Sequence, residues 1–329
     1  MLAVGPNGVG KTNLLESLHV ATQGFSPRTR NDAQLVRFGD PGARAAVAGR
    51  RGEVLVELEV TVRPGEGKRA RLNGAPLRAA EQLRTEVSTL VFTPDRLGVV
   101  KGAPAVRRAY VDRVLGRLAP ARAVLPAEYG AAVAQRNAAL RRAAGGYSSR
   151  DAIEPWTERV AALGAELVAA RLDALAVLQP PFAERAEELG LGPATLRYEG
   201  EPPAREQLDA RLERDLERGT TSLGPHLDDV VLVAGERELR SFGSQGEQRL
   251  VLLALLLAEA QAIVERTGVP PLLLLDDVLS ELDPQRRRIL AERVRGAGQA
   301  LVTATDAAML PLQPDQLVEV RPGAAAEAA

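Results

Sequence analysis

Cysteine is absent from this chain of 329 residues. The chain can therefore form neither a disulfide nor a cysteine-based metal site, which favours a reducing compartment. Long hydrophobic runs are absent too, because the longest apolar stretch, Leu250 to Ala258, is far shorter than the about 20 residues that a membrane span requires. The start carries no basic segment followed by an apolar one, as a secretory signal would. These absences predict a soluble, cytoplasmic protein that does not bind a membrane.

Aromatic residues and lysine are scarce. Phe, Trp and Tyr together make up 3% of the chain, so we expect no platform on which the bases of single-stranded nucleic acid stack. Of the 42 basic residues, three are lysine and 39 are arginine. Because GC-rich coding produces such a skew, arginine content alone does not predict nucleic-acid binding, and only local clusters count.

Both ends of the chain carry strand patterns. Val54 to Val62 alternates apolar and polar residues, and Arg69 to Leu77 follows it across a Pro-Gly-Glu-Gly turn, which predicts an antiparallel pair. Thr89 to Phe92, Leu272 to Leu275 and Ala300 to Thr303 are short apolar runs, as the buried strands of a parallel sheet are. Further predicted elements are a strand at Val230 to Val233 and helices at Gln248 to Glu265 and Pro284 to Val294.

In the middle of the chain the strand signals almost vanish. From Ala105 to Leu216, Ala, Leu, Glu and Arg recur at helical spacing, with interruptions at Gly145-Gly146 and Pro180-Pro181. The predicted architecture is an α/β body built from both chain ends, with a helical domain inserted between them. The predicted domains are the body at 1–104 and 217–320, the insertion at 105–216 and a disordered tail at 321–329.

Residues Gly5 to Thr12 read G-x-x-x-x-G-K-T, the pattern of a phosphate-binding loop. Its glycines let successive backbone N–H groups point at one phosphate, Lys11 adds a charge for the terminal phosphates, and Thr12 offers a hydroxyl to Mg²⁺. The helix that follows faces the anion with the positive end of its dipole. The alternative is a glycine-rich turn with a chance lysine. The predicted nucleotide site comprises Gly5, Pro6, Asn7, Gly8, Val9, Gly10, Lys11, Thr12 and Asn13.

An acidic motif follows a buried strand. The leucines of Leu272 to Leu275 deliver Asp276 to the carboxyl edge of the predicted sheet, where its carboxylate would hold Mg²⁺ beside Thr12. The neighbouring Asp277 would polarise the attacking water. A buried strand that ends in aspartate is common, so the motif alone is weak evidence for a site. The phosphate-binding loop before it and the Ser-Glu-Leu-Asp segment at 280–283 after it favour a nucleotide site.

The segment from Ser241 to Arg249 opens a predicted helix. Ser244 and the amide of Gly246, at the helix N-terminus, would form a second anion site. The flanking members of this site are Gln245 and Glu247. A plain helix cap is the alternative, because Ser244 stands three residues before Glu247 as in a capping box. Both interpretations can hold at once.

Together these three motifs resemble those of ABC-type ATPases, in which a signature S-x-G-x-x caps the nucleotide held on a partner's phosphate-binding loop. The detailed sequence in and around these motifs resembles that of the RecF family of bacterial recombination mediators, from residue 5 to residue 288. Besides the loop, the segments that carry this resemblance are Val99 to Arg108, Gln135 to Asn137, Gly224 to Asp229, Ser244 to Arg249 and Leu275 to Asp283. The resemblance implies an ABC-type ATPase head with a parallel core sheet, antiparallel strands and an inserted helical domain.

The resemblance also implies a role. Proteins of this family bind DNA at gaps and junctions, cooperate with RecR and RecO, and help to place RecA on single strands covered by SSB. ATP with Mg²⁺ would close two chains head to tail into a homodimer. Candidate contacts to DNA phosphates are Arg28, Arg30, Arg107, Arg108 and Arg136. For Arg28 and Arg30 a solvated loop is an equal alternative.

The chain departs from the family pattern at several positions. Leu227 replaces an arginine, and Glu247 stands where glutamine is usual, which adds negative charge near a phosphate. Thr305 occupies the place of the switch histidine of transporter ATPases. Asp277 fills a position at which many ABC enzymes carry glutamate, whose side chain is longer by one methylene. Since displacing a catalytic group by about 1 Å can cost roughly a hundredfold in rate, we expect slow hydrolysis. Slow turnover suits a switch.

Two other classes stay open. One is the ATP subunit of a membrane transporter, which the missing switch histidine disfavours. The other is a short structural ATPase of the SMC type, although the insertion is too short for a long coiled coil. Chains of the RecF family also carry residues before the loop that form a first strand and part of the adenine contact. Here only Met1 to Val4 precede it, so we expect Leu2 to Val4 to be paired on fewer sides.

Overall fold

The computed structural model describes residues 1–93 and 97–327. The strands are β1 Leu2–Val4, β2 Ala43–Arg51, β3 Val54–Arg63, β4 Gly67–Leu72, β5 Ala75–Pro76, β6 Thr89–Phe92, β7 Ala194–Glu199, β8 Asp229–Ala234, β9 Arg237–Glu238, β10 Leu272–Leu275, β11 Ala300–Ala304, β12 Leu317–Arg321 and β13 Ala324–Glu327. The α-helices are α1 Lys11–Gln23, α2 Gly98–Lys101, α3 Pro104–Leu118, α4 Leu125–Ala144, α5 Glu154–Glu188, α6 Arg205–Ala210, α7 Leu212–Arg218, α8 Leu239–Phe242, α9 Gln245–Thr267 and α10 Pro284–Gly296.

The chain divides into two compact units. The terminal unit comprises Met1–Arg96 and Ile263–Ala329, and the central unit comprises Leu97–Ala262. The bounds differ from the predicted ones, because residues 217–262 pack with the helices of the central unit. The reason is β8, which pairs antiparallel with β7 from Ala194↔Ala234 to Glu199↔Asp229 and so joins this segment to the insertion.

The core of the terminal unit is a six-stranded sheet in the order β13-β12-β1-β11-β10-β6. Its pairs from β12 to β6 are parallel, as predicted. The leucines of β10 are covered on both faces and therefore read as an unbroken apolar run. Leu2 to Val4 pair with β11 on one side and with β12 on the other, so the prediction that they are paired on fewer sides is wrong.

A second sheet of the terminal unit is antiparallel, in the order β2-β3-β4-β5. It contains the predicted hairpin of β3 and β4, whose inward residues Leu58, Val60 and Val62 pack near Val20 of α1. β2 was not predicted. Its sequence, ARAAVAGRR, is poor in the β-branched and aromatic residues that mark a strand, and it forms because β3 pairs with it along its whole length.

The central unit packs helices around a core of buried apolar side chains from α3, α4 and α5. The predicted break at Pro180-Pro181 is wrong, because α5 continues through both prolines to Glu188. Contacts with β7 support this stretch, since the Gln179 side chain donates to the Ala194 carbonyl at 3.0 Å and accepts from the Leu196 amide at 2.7 Å. β7 itself lies within the segment predicted to be helical.

The C-terminal segment was predicted to be disordered from Arg321, and for residues 321–327 this is wrong. β12 and β13 form an antiparallel hairpin from Val318↔Glu327 to Arg321↔Ala324, with Gly323 in the turn and Val320 buried. Pairing with a strand already fixed in the sheet orders a segment whose composition alone favours disorder. Residues 328 and 329 lie outside the described residues. Within the part of the chain that is described, no helix is both long and apolar enough to cross a membrane.

Candidate nucleotide-binding site

The Gly5–Thr12 loop joins the end of β1 to the start of α1. Gly5 leaves no room for a side chain, because a Cβ atom there would lie 2.6 Å from the Val320 carbonyl oxygen of β12. Gly10, which precedes α1, has a φ of 112°, a conformation that residues with a side chain rarely adopt. Two glycines of the motif are thus required by the backbone, and the loop leads directly into a helix N-terminus.

Lys11 lies inside this loop. Its Nζ atom donates to the carbonyl oxygens of Gly5 at 2.6 Å and Pro6 at 2.9 Å, and the residue is buried. The ammonium group is therefore held by the turn that the glycines make, at the positive end of α1. One lysine and the backbone amides at the helix start form a site suited to an anion with several negative charges.

Thr12 and Asp276 come from opposite ends of the chain and meet at the carboxyl edge of the sheet. The Thr12 hydroxyl donates to Asp276 Oδ2 at 2.9 Å and lies 3.2 Å from Oδ1. The register brings this about, because Leu275, the last residue of β10, is paired with Val302 of β11, and Val4 of β1 is paired with Ala304. The residues that follow β1 and β10 therefore emerge at the same edge.

The pair of Thr12 and Asp276 fits Mg²⁺. Hydroxyl and carboxylate oxygens are the hard ligands that this ion prefers, and it usually takes only one or two of them from the protein, with water and substrate phosphates completing its shell. The residues that would hold the ion are Thr12 and Asp276.

Asp277 follows in an uncommon backbone conformation, with φ 48° and ψ 29°. Its backbone N–H donates to the Thr303 hydroxyl at 2.9 Å. Its Oδ1 atom is buried, and it has no hydrogen-bond partner within the described part of the chain. A buried carboxylate oxygen without a partner is costly and points to a missing polar neighbour, such as a water molecule or a ligand. Thr305, at the place of the switch histidine, is exposed.

In the central unit, Ser244 and Glu247 form the predicted capping box at the start of α9. Glu247 Oε2 accepts from the Ser244 amide at 2.7 Å, and Ser244 Oγ accepts from the Glu247 amide at 3.2 Å. The bond from the Ser244 amide, more than any other contact, lowers the pKa of Glu247. Because Ser244 Oγ acts as an acceptor here, its proton is available to a ligand.

Space is open beside this cap. A Cβ atom at Gly246 would meet nothing closer than Ser244 Oγ at 4.0 Å, and Phe242, just before the motif, is exposed. The Gln248 side chain fixes the preceding turn, since its Nε2 donates to the carbonyls of Leu239 and Gly243, both at 3.0 Å. The start of α9 is therefore an accessible and rigid helix N-terminus. The roles of Ser244, Gln245, Gly246 and Glu247 toward a nucleotide stay predictions.

Two of the five arginines predicted to contact DNA are buried in ion pairs. Arg136 is 0% exposed and donates to Asp215 at 2.7 Å and to the hydroxyls of Thr157 and Thr221 at 3.0 Å. Arg107 is 2% exposed, and its guanidinium binds both carboxylate oxygens of Asp229, at 2.7 and 2.6 Å. The prediction that these two side chains contact phosphates is wrong, because arginines that are buried and paired with carboxylates cannot reach DNA.

The other three arginines keep part of their surface in solvent. Arg108 is half-buried and donates to the Asp228 carbonyl at 2.5 Å, and burial lowers the pKa of its guanidinium. Arg28 and Arg30 are exposed, and Arg28 forms an ion pair with Glu16 at 3.2 Å. Their contact with DNA stays a prediction.

The Gly224–Asp229 segment is anchored by polar contacts that sequence reasoning missed. Arg171 of α5 donates to the Pro225 carbonyl at 2.7 Å, and the Tyr198 hydroxyl donates to Asp228 Oδ2 at 2.6 Å. His226 Nε2 donates to the Thr221 carbonyl at 3.1 Å, which leaves Nδ1 to accept from Tyr129 at 2.8 Å. Leu227, the departure from the family pattern, is 55% exposed. Its side chain is therefore on the surface of the segment.

A parallel sheet with a phosphate-binding loop after one strand, and an aspartate paired with the loop's threonine after another, forms an ATPase head of the ABC type. An Smc head domain with an extended coiled coil, derived from Pyrococcus furiosus, shares the fold with a TM-score of 0.59 and 18% identity, over 99% of this chain and 89% of that one. The structure of the recombination mediator protein RecF-ATP in the RecFOR pathway has a TM-score of 0.88 and 26% identity, over 100% of this chain and 91% of that one.

Sequence comparison identifies the particular family. The family model for the RecF/RecN/SMC N-terminal domain matches residues 1–327. A DNA replication and repair protein RecF of Streptomyces avermitilis is 39% identical over 324 residues, which cover 92% of this chain and 86% of the relative. One of Myxococcus xanthus is 38% identical over 330 residues, which cover 94% and 85%. The chain belongs to the RecF family of DNA replication and repair proteins, and the predicted family and fold class are confirmed.

Proposed function

We propose that this chain binds ATP and Mg²⁺ at the Gly5–Thr12 loop. The observation that carries the proposal is the hydrogen bond between Thr12 and Asp276, because it brings a hydroxyl and a carboxylate together beside a lysine held in the turn of the loop. The relative of known structure named RecF-ATP supports the choice of nucleotide. When bound, Mg²⁺ would neutralise charge on the phosphates. Thr12 and Asp276 would orient it, and Lys11 would bind the terminal phosphates.

Hydrolysis in this proposal is slow. Asp277, whose Oδ1 is buried without a partner among the described residues, would orient the water that attacks the terminal phosphate. The aspartate is one methylene shorter than glutamate, so its oxygen has less reach toward that water. Slow turnover makes the bound nucleotide a switch between two states rather than a source of continuous work.

The two states in this proposal are a monomer and an ATP-bound homodimer. Ser244 and the Gly246 amide of one copy would cap the nucleotide on the loop of the other copy, so two nucleotides would be buried between the copies. Three features support this arrangement: the rigid capping box, the free proton of the Ser244 hydroxyl and the open space beside Gly246. The negative charge of Glu247 would weaken the cap.

The dimer would act on DNA. We propose double-stranded DNA with a gap or a junction to single strand as the substrate, RecR and RecO as partners, and the loading of RecA in the cytoplasm as the outcome. The membership of the RecF family supports the pathway, and exposed Arg28 and Arg30, with half-buried Arg108, are the remaining candidates for phosphate contacts.

Sedimentation velocity with and without ATP, Mg²⁺ and gapped DNA tests the proposal. The chain should sediment as a monomer without nucleotide, as a dimer with ATP, and as a larger complex once gapped DNA is added. Lys11→Ala should lose nucleotide binding, Ser244→Arg should bind ATP yet stay monomeric, and Asp277→Asn should trap the dimer. If Ser244→Arg dimerises with ATP as the unchanged chain does, the proposed arrangement of the two copies is wrong.

A further inference from the structure

Thr303 connects the two acidic residues of the nucleotide site through a single hydroxyl. It lies on β11, one residue beyond Val302, which is paired with Leu275 at the end of β10. Its Oγ1 atom donates to Asp276 Oδ1 at 2.8 Å and accepts from the Asp277 amide at 2.9 Å. The residue is 0% exposed, so water cannot substitute for either bond without entering the sheet.

The first of these bonds fixes the carboxylate of Asp276. Its Oδ1 atom receives the Thr303 proton, while its Oδ2 atom is the nearer partner of Thr12 at 2.9 Å. With one oxygen held from each side, the carboxylate cannot rotate freely about its terminal bond. Groups that hold a metal-binding carboxylate in this way commonly change metal affinity by about 10- to 100-fold when they are removed.

The second bond supports the backbone of Asp277. Asp277 and Asn73 are the residues other than glycine with positive φ in the described part of the chain. Asn73 lies in the turn between β4 and β5, where asparagine is common. Asp277 instead lies at the carboxyl edge of a buried strand, and its amide has the Thr303 hydroxyl as acceptor. In this conformation Asp277 Oδ1 is buried and has no hydrogen-bond partner among the described residues.

We propose that Thr303 is a positioning residue for ATP hydrolysis, setting the orientation of Asp276 toward Mg²⁺ and of Asp277 toward the attacking water. Thr303 touches neither nucleotide nor water itself. The inference rests on the proposed function, because it assumes that Asp276 and Asp277 act on bound ATP. A merely structural threonine would affect stability alone, whereas a positioning residue affects the metal dependence and the rate while leaving the metal-free binding of ATP unchanged.

The test compares Thr303→Val, which keeps the shape but removes the hydroxyl, with Thr303→Ser, which keeps the hydroxyl. Three quantities are measured: ATP affinity without Mg²⁺, the Mg²⁺ concentration at which ATP affinity is half-maximal, and the single-turnover rate of hydrolysis. Thr61→Val, in β3 of the other sheet of the same unit, is the matched control for replacing a strand threonine by valine.

For Thr303→Val we expect the half-maximal Mg²⁺ concentration to rise about tenfold and the hydrolysis rate to fall about a hundredfold. Its ATP affinity without Mg²⁺ should stay within about twofold of the unchanged chain, because Lys11 and the loop are intact. Thr303→Ser should restore both the Mg²⁺ dependence and the rate. Thr61→Val should change neither.

A Thr303→Val chain that hydrolyses ATP at the original rate with the original Mg²⁺ dependence would overturn the inference, as would a Thr303→Ser chain that is equally impaired. If valine prevents folding, Thr303→Ala removes the same hydroxyl without crowding and decides in the same way. Failure of the proposed function is a different result, because then the unchanged chain itself would not bind ATP in the presence of Mg²⁺.

Discussion

Thr12 and Asp276 are 264 positions apart in the chain, and the hydroxyl of the first donates to a carboxylate oxygen of the second at 2.9 Å. Formation of this pair requires β1 and β10 to lie in one parallel sheet, with β11 between them. The relation therefore links the fold to the chemistry, since neither end of the chain contains the site alone.

Replacing Asp276 tests that link. Asp276→Asn keeps the shape of the side chain but removes the charge that would hold Mg²⁺, so ATP affinity in the presence of Mg²⁺ should fall by about tenfold or more. Affinity without Mg²⁺ should change little. Titration of ATP at several Mg²⁺ concentrations measures both. Asp315→Asn, at an exposed aspartate of the same unit, is the control, and equal losses in the two variants would contradict the role of Asp276.

Arg136 is expected to serve stability. Arg136→Ala leaves Asp215, which is also 0% exposed, without its ion-pair partner in the central unit. Breaking a buried pair on one side typically costs about 3 kcal/mol of the free energy of unfolding. Urea titration measures this loss, and Arg159→Ala, at an exposed position of α5, should cost less than about 0.5 kcal/mol. A similarly small effect for Arg136→Ala would contradict its structural role and make Arg136 again a candidate for contact with DNA phosphates.

His226 should make stability depend on pH. Burial lowers the pKa of His226 in the folded chain below the ordinary value of about 6.5 that it has when unfolded. The unfolded state therefore takes up the proton at a higher pH, so stability is complete above about pH 6.5 and is lost as pH falls toward the folded pKa. His226→Gln should reduce the drop in melting temperature between about pH 7.5 and 5.5. His19 is unchanged in both chains, and an equal drop in both would refute the assignment.

DNA binding should depend on Arg28 and Arg30 through salt. Each phosphate contact that is lost lowers the slope of log affinity against log salt by about 0.9. The double replacement Arg28→Ala with Arg30→Ala should therefore flatten the slope for gapped DNA by up to about two units. Fluorescence anisotropy at several salt concentrations measures it. Arg214→Ala with Arg218→Ala removes the same charge from exposed positions of α7, and an equal flattening there would mean that only net charge matters.

Local rules were enough to predict the parts of the site that lie in continuous segments. The Gly5–Thr12 loop, the Asp276-Asp277 pair after a buried strand and the capping box of Ser244 and Glu247 each depend on spacing within a few residues. Spacing of that kind is visible in one sequence without knowledge of the fold.

Contacts between distant segments could not be predicted in this way. Arg107 and its partner Asp229 are 122 positions apart, and Arg136 and Asp215 are 79 apart. From sequence alone, an arginine on a polar helix is predicted to be exposed, because the carboxylate that pairs with it in the fold is distant in the sequence. The same holds for Thr303, which lies in an apolar strand. Its hydroxyl contacts Asp276 and Asp277 only because β11 is paired with β10.

ATP binding together with Mg²⁺ at the Gly5–Thr12 loop is the step on which every other proposed activity depends. Isothermal titration calorimetry of ATP, with and without Mg²⁺, into the unchanged chain and into Lys11→Ala measures this binding. We predict saturable binding of one ATP per chain that Mg²⁺ strengthens, and loss of that binding for Lys11→Ala, because the charge held at 2.6 Å from the Gly5 carbonyl is gone. Absence of binding to the unchanged chain, or equal affinity in the two chains, would contradict this proposal.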